Sequence, residues 1–277
     1  MTLRFPPHIT SFWDRAEPVL RGDERLLAVL AAGSAISHQL DEHSDLDLVL
    51  VVRPEAYAEV LESHVIYPER IEGLLSAFVG YHVGEPRLVI ALYDNPIIHV
   101  DFKFVTPDDL SDRIETPIIL FEHGNDISRL LANGKAEWPN RDPQWFEDRF
   151  WAWMHYGGVK IARGELFEAL GFLSDIRSMV LGPLAARRQG RHQRAVRRVE
   201  QFDPAFAGQL QATLANYDTQ DIWRALEACM DLYCDLRRDL PPPVPRVAAE
   251  VAVRTWIGAR GVSNAHPAAR SGAGTLP

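Results

Sequence analysis

The chain has 277 residues, enough for one large domain or two ordinary ones, and its 47% hydrophobic content excludes wholesale disorder. Lys and Arg number 29 against 38 Asp and Glu, a net charge of −9 that argues against nonspecific binding to nucleic acid or anionic lipid and suits a cationic small-molecule partner. Two cysteines are too few for a disulfide framework, the start MTLRFPPHIT lacks an apolar signal core, and the longest nearly apolar run noted, Leu26–Ile36, is about half of a membrane span, so a soluble, cytoplasmic protein is expected.

In chain order, Leu26–Ala32 is apolar and fits strand or helix, whereas Leu46–Val52 is rich in β-branched residues and reads as a strand. Arg70–Val79 fits a helix beginning near Pro68. Leu88–Tyr93 and Ile98–Val105 flank the turn formers Asp94-Asn95-Pro96 and read as a hairpin. In its second run Ile98, Val100, Phe102 and Phe104 share an apolar face to be buried. His99, Asp101, Lys103 and Val105 share the other, which should open to solvent or a cleft. Leu110 to Trp138 reads as a connector with a helix over Asp126–Leu131 and Gly134 as its stop.

From Pro143 the pattern turns helical, with Asp142-Pro143 a start signal for Pro143–Arg163. Further helices are predicted over Glu165–Arg188, kinked or broken at Pro183, over Pro204–Tyr217, and over Thr219–Leu240 behind an Asp218 N-cap; Arg246–Gly261 is a weak candidate. These give an α/β domain over residues 1–140, a helical domain over 141–243 and a tail over 244–277 whose last part, Ser263–Pro277, is expected to be disordered. A cleft between two domains is a favoured ligand site.

The most informative stretch is Gly33-Ser34, ten residues, Asp45-Leu46-Asp47, then a hydrophobic strand. Asp45 and Asp47 lie two apart at a strand start, so their side chains point the same way. Like charges held side by side call for a cation between them, and Mg²⁺ is typically held by one or two carboxylates plus substrate phosphates. If the strand carrying Asp101 pairs beside Leu46–Val52, three carboxylates converge, a cluster suited to phosphoryl-group chemistry. Gly33 lets backbone amides approach a phosphate, Ser34 adds a hydroxyl, and a following helix would present its positive end.

This order and spacing resembles the signature of the DNA polymerase beta-like nucleotidyltransferase superfamily. The resemblance implies an α+β fold, with a small mixed sheet and flanking helices followed by a C-terminal helical bundle. It also implies that Gly33 and Ser34 contact a nucleoside triphosphate, that Asp45 and Asp47 bind Mg²⁺, and that Asp101 completes the catalytic and metal site. IIHVDFKFVTPDDL, TPIILFEHGNDISRLL and RFWAWMHYGGVKIARGELFEAL are similar in layout to the aminoglycoside adenylyltransferases, especially the streptomycin 6-adenylyltransferase branch. The implied activity is transfer of AMP from ATP to a hydroxyl of a small aminoglycoside-like acceptor, as in antibiotic resistance. Lys160 matches a helical lysine that would meet the triphosphate from the second domain. Many members carry Arg directly after Gly-Ser; here the residue is Ala35, with His38 and Lys103 as candidate substitutes.

Plainer readings stand beside these. Asp-x-Asp is common on loops, a helical Lys usually faces water, and Glu165 after Arg163-Gly164 favours a helix start, with acceptor-amine contact a minor reading. The aromatic run Trp145–Tyr156 reads first as core and domain interface, and Arg187–Arg198 as a solvated face. Arg187 and His192 also resemble the ribonuclease motif of small helical HEPN toxins, which partner minimal nucleotidyltransferase antitoxins. The alternative is therefore a protein-AMPylating antitoxin-type enzyme fused to a HEPN-like domain; a third reading is a non-catalytic nucleotide-binding module. Cys229 and Cys234 read as packing residues, and no zinc spacing, P-loop, Rossmann or nucleophile-elbow pattern is present.

Overall fold

A computed structural model describes residues 4–37 and 39–263, in two compact units, Met1–Pro139 and Asn140–Pro277. The tail expected to be disordered lies, from residue 264 on, outside the described residues.

The first unit opens with helix α1 (Pro7–Arg21), then strands β1 (Leu26–Ala31) and β2 (Leu46–Val52), and a short helix α2 (Tyr57–Glu62). Strands β3 (Leu74–Val79), β4 (Leu88–Tyr93), β5 (Ile98–Val105) and β6 (Ile118–Glu122) follow, then helix α3 (Asp126–Asn133). The six strands form one mixed sheet in the order β3-β4-β5-β2-β1-β6. Every neighbour pair is antiparallel except β2 with β5, which run parallel.

Strand alternation decides what each face carries. Leu46, Leu48, Leu50 and Val52 of β2 and Val100, Phe102 and Phe104 of β5 join Ile9, Phe12, Ala16 and Leu20 of α1 in one buried cluster. On the opposite face the strands change character along their length. Val51 and Val105, at the ends, are buried with Ala28, Leu30 and the α3 residues Ile127 and Leu131. Asp45, Asp47, His99 and Asp101, at the beginnings, are not part of that cluster and retain solvent exposure. The acidic end of this face is therefore the open end.

Three expectations are corrected in this unit, and α1 is an element for which the sequence reading raised none. Arg70–Val79 is not a helix: a 3₁₀ stretch His64–Arg70 ends there, Gly73 turns at φ +93°, and Leu74–Val79 pairs with β4. β6 is a strand inside the supposed connector. α1 begins at the N-terminal Pro-Pro pair, with Pro6 at the N-cap and Pro7 at the first helical position, which a proline tolerates because its missing N–H is an orphan there. Finally, the Gly-Ser turn is followed by a single 3₁₀ turn, Gly33–Ala35, rather than a helix with a positive end.

The second unit is helical: α4 (Pro143–Ala162), α5 (Leu166–Ile176), α6 (Gly182–Arg188), α7 (Val199–Phe202), α8 (Pro204–Leu210), α9 (Thr219–Asp239) and α10 (Val247–Ser263). Asp142 caps α4 by accepting from the Trp145 N–H at 2.8 Å, and Asp218 caps α9 by accepting from the Asp221 N–H at 2.9 Å. Pro183 does not break its helix. A π-turn over Arg177–Leu181 precedes it, so α5 and α6 run as one rod. That rod, Leu166–Arg188, is long and apolar enough to cross a membrane by length and composition. Here its Leu173, Ile176, Val180, Leu181 and Leu184 lie in the core with Phe146, Phe150, Trp151, Trp223 and Tyr233. The helix expected over Pro204–Tyr217 is shorter, ending at Leu210 with a 3₁₀ turn to Thr213.

Candidate functional site

The site residues gather at the open end of the sheet. Gly33 sits two residues past the end of β1, in a left-handed conformation at φ +56° that glycine adopts without cost. A side chain there would overlap the Asp47 carboxylate, so the turn backbone and that carboxylate are in close contact. The Ala32 N–H donates to the Asp47 carbonyl at 2.9 Å, which ties the turn to the start of β2. Ser34 is 6% exposed, and its hydroxyl oxygen is buried with no hydrogen-bond partner. An orphaned buried hydroxyl costs free energy and is a ready contact for a polar ligand.

The parallel pairing of β2 with β5 sets Asp47 directly opposite Asp101. Parallel partners present their side chains on the same face, so Asp45, Asp47 and Asp101 share it. Burial raises the Asp101 pKa, His99 opposes that rise, and the negative charge of Asp45 adds to it. Asp45 is thus near enough to Asp101 for the two carboxylates to repel. The His99 Nε2 lies 2.8 Å from Asp101 Oδ1.

The residues fit a divalent cation shared with a triphosphate rather than one caged by protein. Among the described residues no three His, Cys, Asp or Glu side chains are already grouped to hold a metal. Magnesium is usually held by one or two carboxylates plus substrate phosphates, and the mutual repulsion here is what such an ion relieves. The orphaned Ser34 hydroxyl beside the glycine turn adds a polar contact of the kind a phosphate takes.

The cationic candidates are engaged elsewhere. Lys103 shares the Asp101 face, but its Nζ pairs with Glu85 at 2.9 Å. The Glu85 carboxyl is held down to about 2 by hydrogen bonds from Arg87 and Lys103. Lys160, in the second unit, pairs with Glu165 at 2.7 Å and Glu168 at 2.9 Å and lies 5.1 Å from the Tyr156 ring centroid. Those two carboxylates hold its pKa above the ordinary lysine range. His38 lies outside the described residues.

The remaining candidates are placed as follows. Phe146, Phe150, Trp151 and Met154 of the aromatic run are buried core, while Tyr156 is exposed. Arg187 donates to the Arg141 carbonyl at 2.6 Å, and Arg188 pairs with Asp203 and Asp239. Cys229 is a buried free thiol whose pKa burial pushes up to about 12. The residue that sequence reasoning placed on the right face without a role is His99; its same-face position two residues before Asp101 was the available signal.

No protein family model matches the sequence, and no curated protein matches it. Among solved structures, the chain is similar to an aminoglycoside 6-adenyltransferase from Bacillus subtilis, with a TM-score of 0.37 and 15% identity over 90% of this chain and 96% of that one. It is also similar to a nucleotidyltransferase-like protein from Exiguobacterium sibiricum, with a TM-score of 0.36 and 13% identity over 90% of this chain and 88% of that one.

Proposed function

We propose that this chain is a magnesium-dependent nucleotidyltransferase that moves AMP from ATP to a hydroxyl of a small cationic, aminoglycoside-like acceptor in the cytoplasm. The observation that carries the reading is the pairing of Asp47 with Asp101 across parallel strands, with Asp45 on the same face and the left-handed Gly33 turn packed against Asp47. The sequence resemblance supplies the nucleotide and acceptor class.

Asp45, Asp47 and Asp101 would hold magnesium, which when bound neutralises the triphosphate and the departing pyrophosphate. The Gly33 backbone and the Ser34 hydroxyl would seat the phosphates. The acceptor oxygen forms a bond to the α-phosphorus as the bond from that phosphorus to the pyrophosphate oxygen breaks. The hydroxyl proton would pass to the Asp101 carboxylate acting as general base. Lys160 would join from the helical unit only by giving up Glu165 and Glu168. The surplus of acid over base favours encounter with a polyamine acceptor.

The test is incubation with Mg²⁺ and ATP labelled on the α-phosphate, with a panel of aminoglycosides and, separately, a cell lysate. Label on a small molecule is expected. Label on a protein band instead replaces this reading with protein AMPylation, and nucleotide binding without transfer replaces it with a non-catalytic module. Asp47→Asn should lower transfer by at least about 100-fold, on the order of 3 kcal/mol of transition-state stabilisation, with an unchanged melting temperature. Full activity in that variant overturns the site assignment.

A further inference from the structure

We infer that His99 is a positioning residue for Asp101, holding its carboxylate in one rotation by a hydrogen bond to Oδ1 so that Oδ2 is the oxygen offered to ligand. The inference rests on the reading of this acidic face as a metal and nucleotide site.

The argument begins with strand geometry. His99 and Asp101 are two apart on β5, so both project from the same face, and an imidazole is long enough to reach along the strand to the next same-face side chain. The His99 Nε2–H donates to Asp101 Oδ1 at 2.8 Å. Without that bond the Asp101 carboxylate would answer to its neighbours, which include the negative charge of Asp45 and the Asp47 carboxylate opposite it on the paired strand. Like charges turn away from each other, so an unrestrained carboxylate here would rotate off the shared face. A donor at the far oxygen opposes that rotation.

The other basic side chain on this face of β5 cannot take the part. Lys103 is committed to Glu85 at 2.9 Å. Nor is His99 there for packing: its side chain is 48% exposed and belongs to none of the buried apolar clusters. An exposed imidazole whose ring nitrogen is bonded to a candidate ligand carboxylate has the form of the outer partners that orient first ligands.

Three substitutions test the bond itself. Gln carries its amide nitrogen about as far from the backbone as His carries Nε2, whereas Asn reaches only as far as Nδ1. The protein is titrated with Mn²⁺ in the presence of a saturating non-hydrolysable ATP analogue, and protein-bound Mn²⁺ is read by water-proton relaxation enhancement. His99→Ala and His99→Asn should weaken Mn²⁺ binding about tenfold, and His99→Gln should restore it to within about threefold of the parent, in line with outer-partner losses of about 10- to 100-fold. Melting temperatures of all three should match the parent. In the transfer assay the same order should appear in kcat, with KM for ATP changed less than about threefold.

Parent-like Mn²⁺ binding in His99→Ala overturns the inference, as does a loss in His99→Gln equal to that in His99→Ala. If the parent takes up Mn²⁺ with this pattern but transfers no nucleotide, the transfer reading fails while the role of His99 stands. If the parent takes up no Mn²⁺ with the analogue present, both fall.

Discussion

Ser34 carries a hydroxyl that costs the fold free energy, because it is buried and makes no hydrogen bond within the protein. Replacing Ser34 by Ala removes the orphaned atom and should leave stability unchanged or raise it by about 1 kcal/mol. The same change should weaken Mg·ATP binding several-fold, since the hydroxyl is then missing where the phosphates would sit. Calorimetric melting and titration of one sample read both numbers, and a Ser34→Ala protein that melts lower or binds ATP normally contradicts the assignment. Gly33→Ala should behave differently. Its Cβ meets the Asp47 carboxylate and its backbone is left-handed, so stability should fall by about 1–3 kcal/mol together with activity. These residues were legible in the sequence because their geometry is local: a turn glycine, and two acids at strand spacing. The meeting of Asp47 with Asp101 needed a pairing register across 54 positions, which alternation could pose as a condition but not supply. The capture of Lys103 by Glu85 was not legible, since no periodicity links a strand residue to a carboxylate at the foot of the neighbouring strand.

At the scale of elements, the errors fall where two periods fit the same letters. Ile71, Leu74, Leu75 and Phe78 stand at helical spacing, and the stretch reads as an amphipathic helix until β4 offers it a ladder and Gly73 a turn. β6 spans only five residues, too few for alternation to declare itself. α4 and α9 were legible because their caps are written in the chain as Asp-Pro and Asp-Thr. What fastens the end of the helical unit was not. Glu147 of α4 is 1% exposed and accepts from Tyr233 at 2.5 Å, from Arg237 at 3.2 Å and from the Arg246 N–H at 2.7 Å. One carboxylate thus binds α9 and the segment leading into α10. Glu147→Ala leaves Arg237 and Tyr233 facing an unfilled buried site and should cost about 3–5 kcal/mol. Glu147→Gln keeps the shape and should cost less, about 1–3 kcal/mol. Urea denaturation of the two variants side by side checks the order.

Taken whole, the molecule has buried clusters on both faces of the sheet and a separate one among the helices, and each unit buries charged groups of its own. In the first unit one such group is Asp23, 5% exposed, which accepts from Arg25 at 2.8 Å, from Tyr67 at 3.0 Å and from Arg70. Burial pushes its pKa up, but the hydrogen bonds from Arg25, Arg70 and Tyr67 outweigh burial and hold it well below the usual carboxylate range. A carboxyl whose pKa is lowered by folding contributes stability that is complete above its unfolded value, about 3.9 for aspartate, and is lost as the pH falls below that toward the folded value. Asp23→Asn should therefore cost the first unit about 2 kcal/mol at neutral pH, and the gap between parent and variant should close as the solution is taken from about pH 4 toward pH 2. The tryptophans separate the readouts, because five of the seven, Trp145, Trp151, Trp153, Trp223 and Trp256, belong to the second unit. Fluorescence should then follow Glu147 variants more than Asp23→Asn, and circular dichroism, weighted by both units, should register both. A gap between parent and Asp23→Asn that stays constant from pH 7 to pH 2 would show that the charge on Asp23 is not what holds the α1–β1 turn to Tyr67 and Arg70.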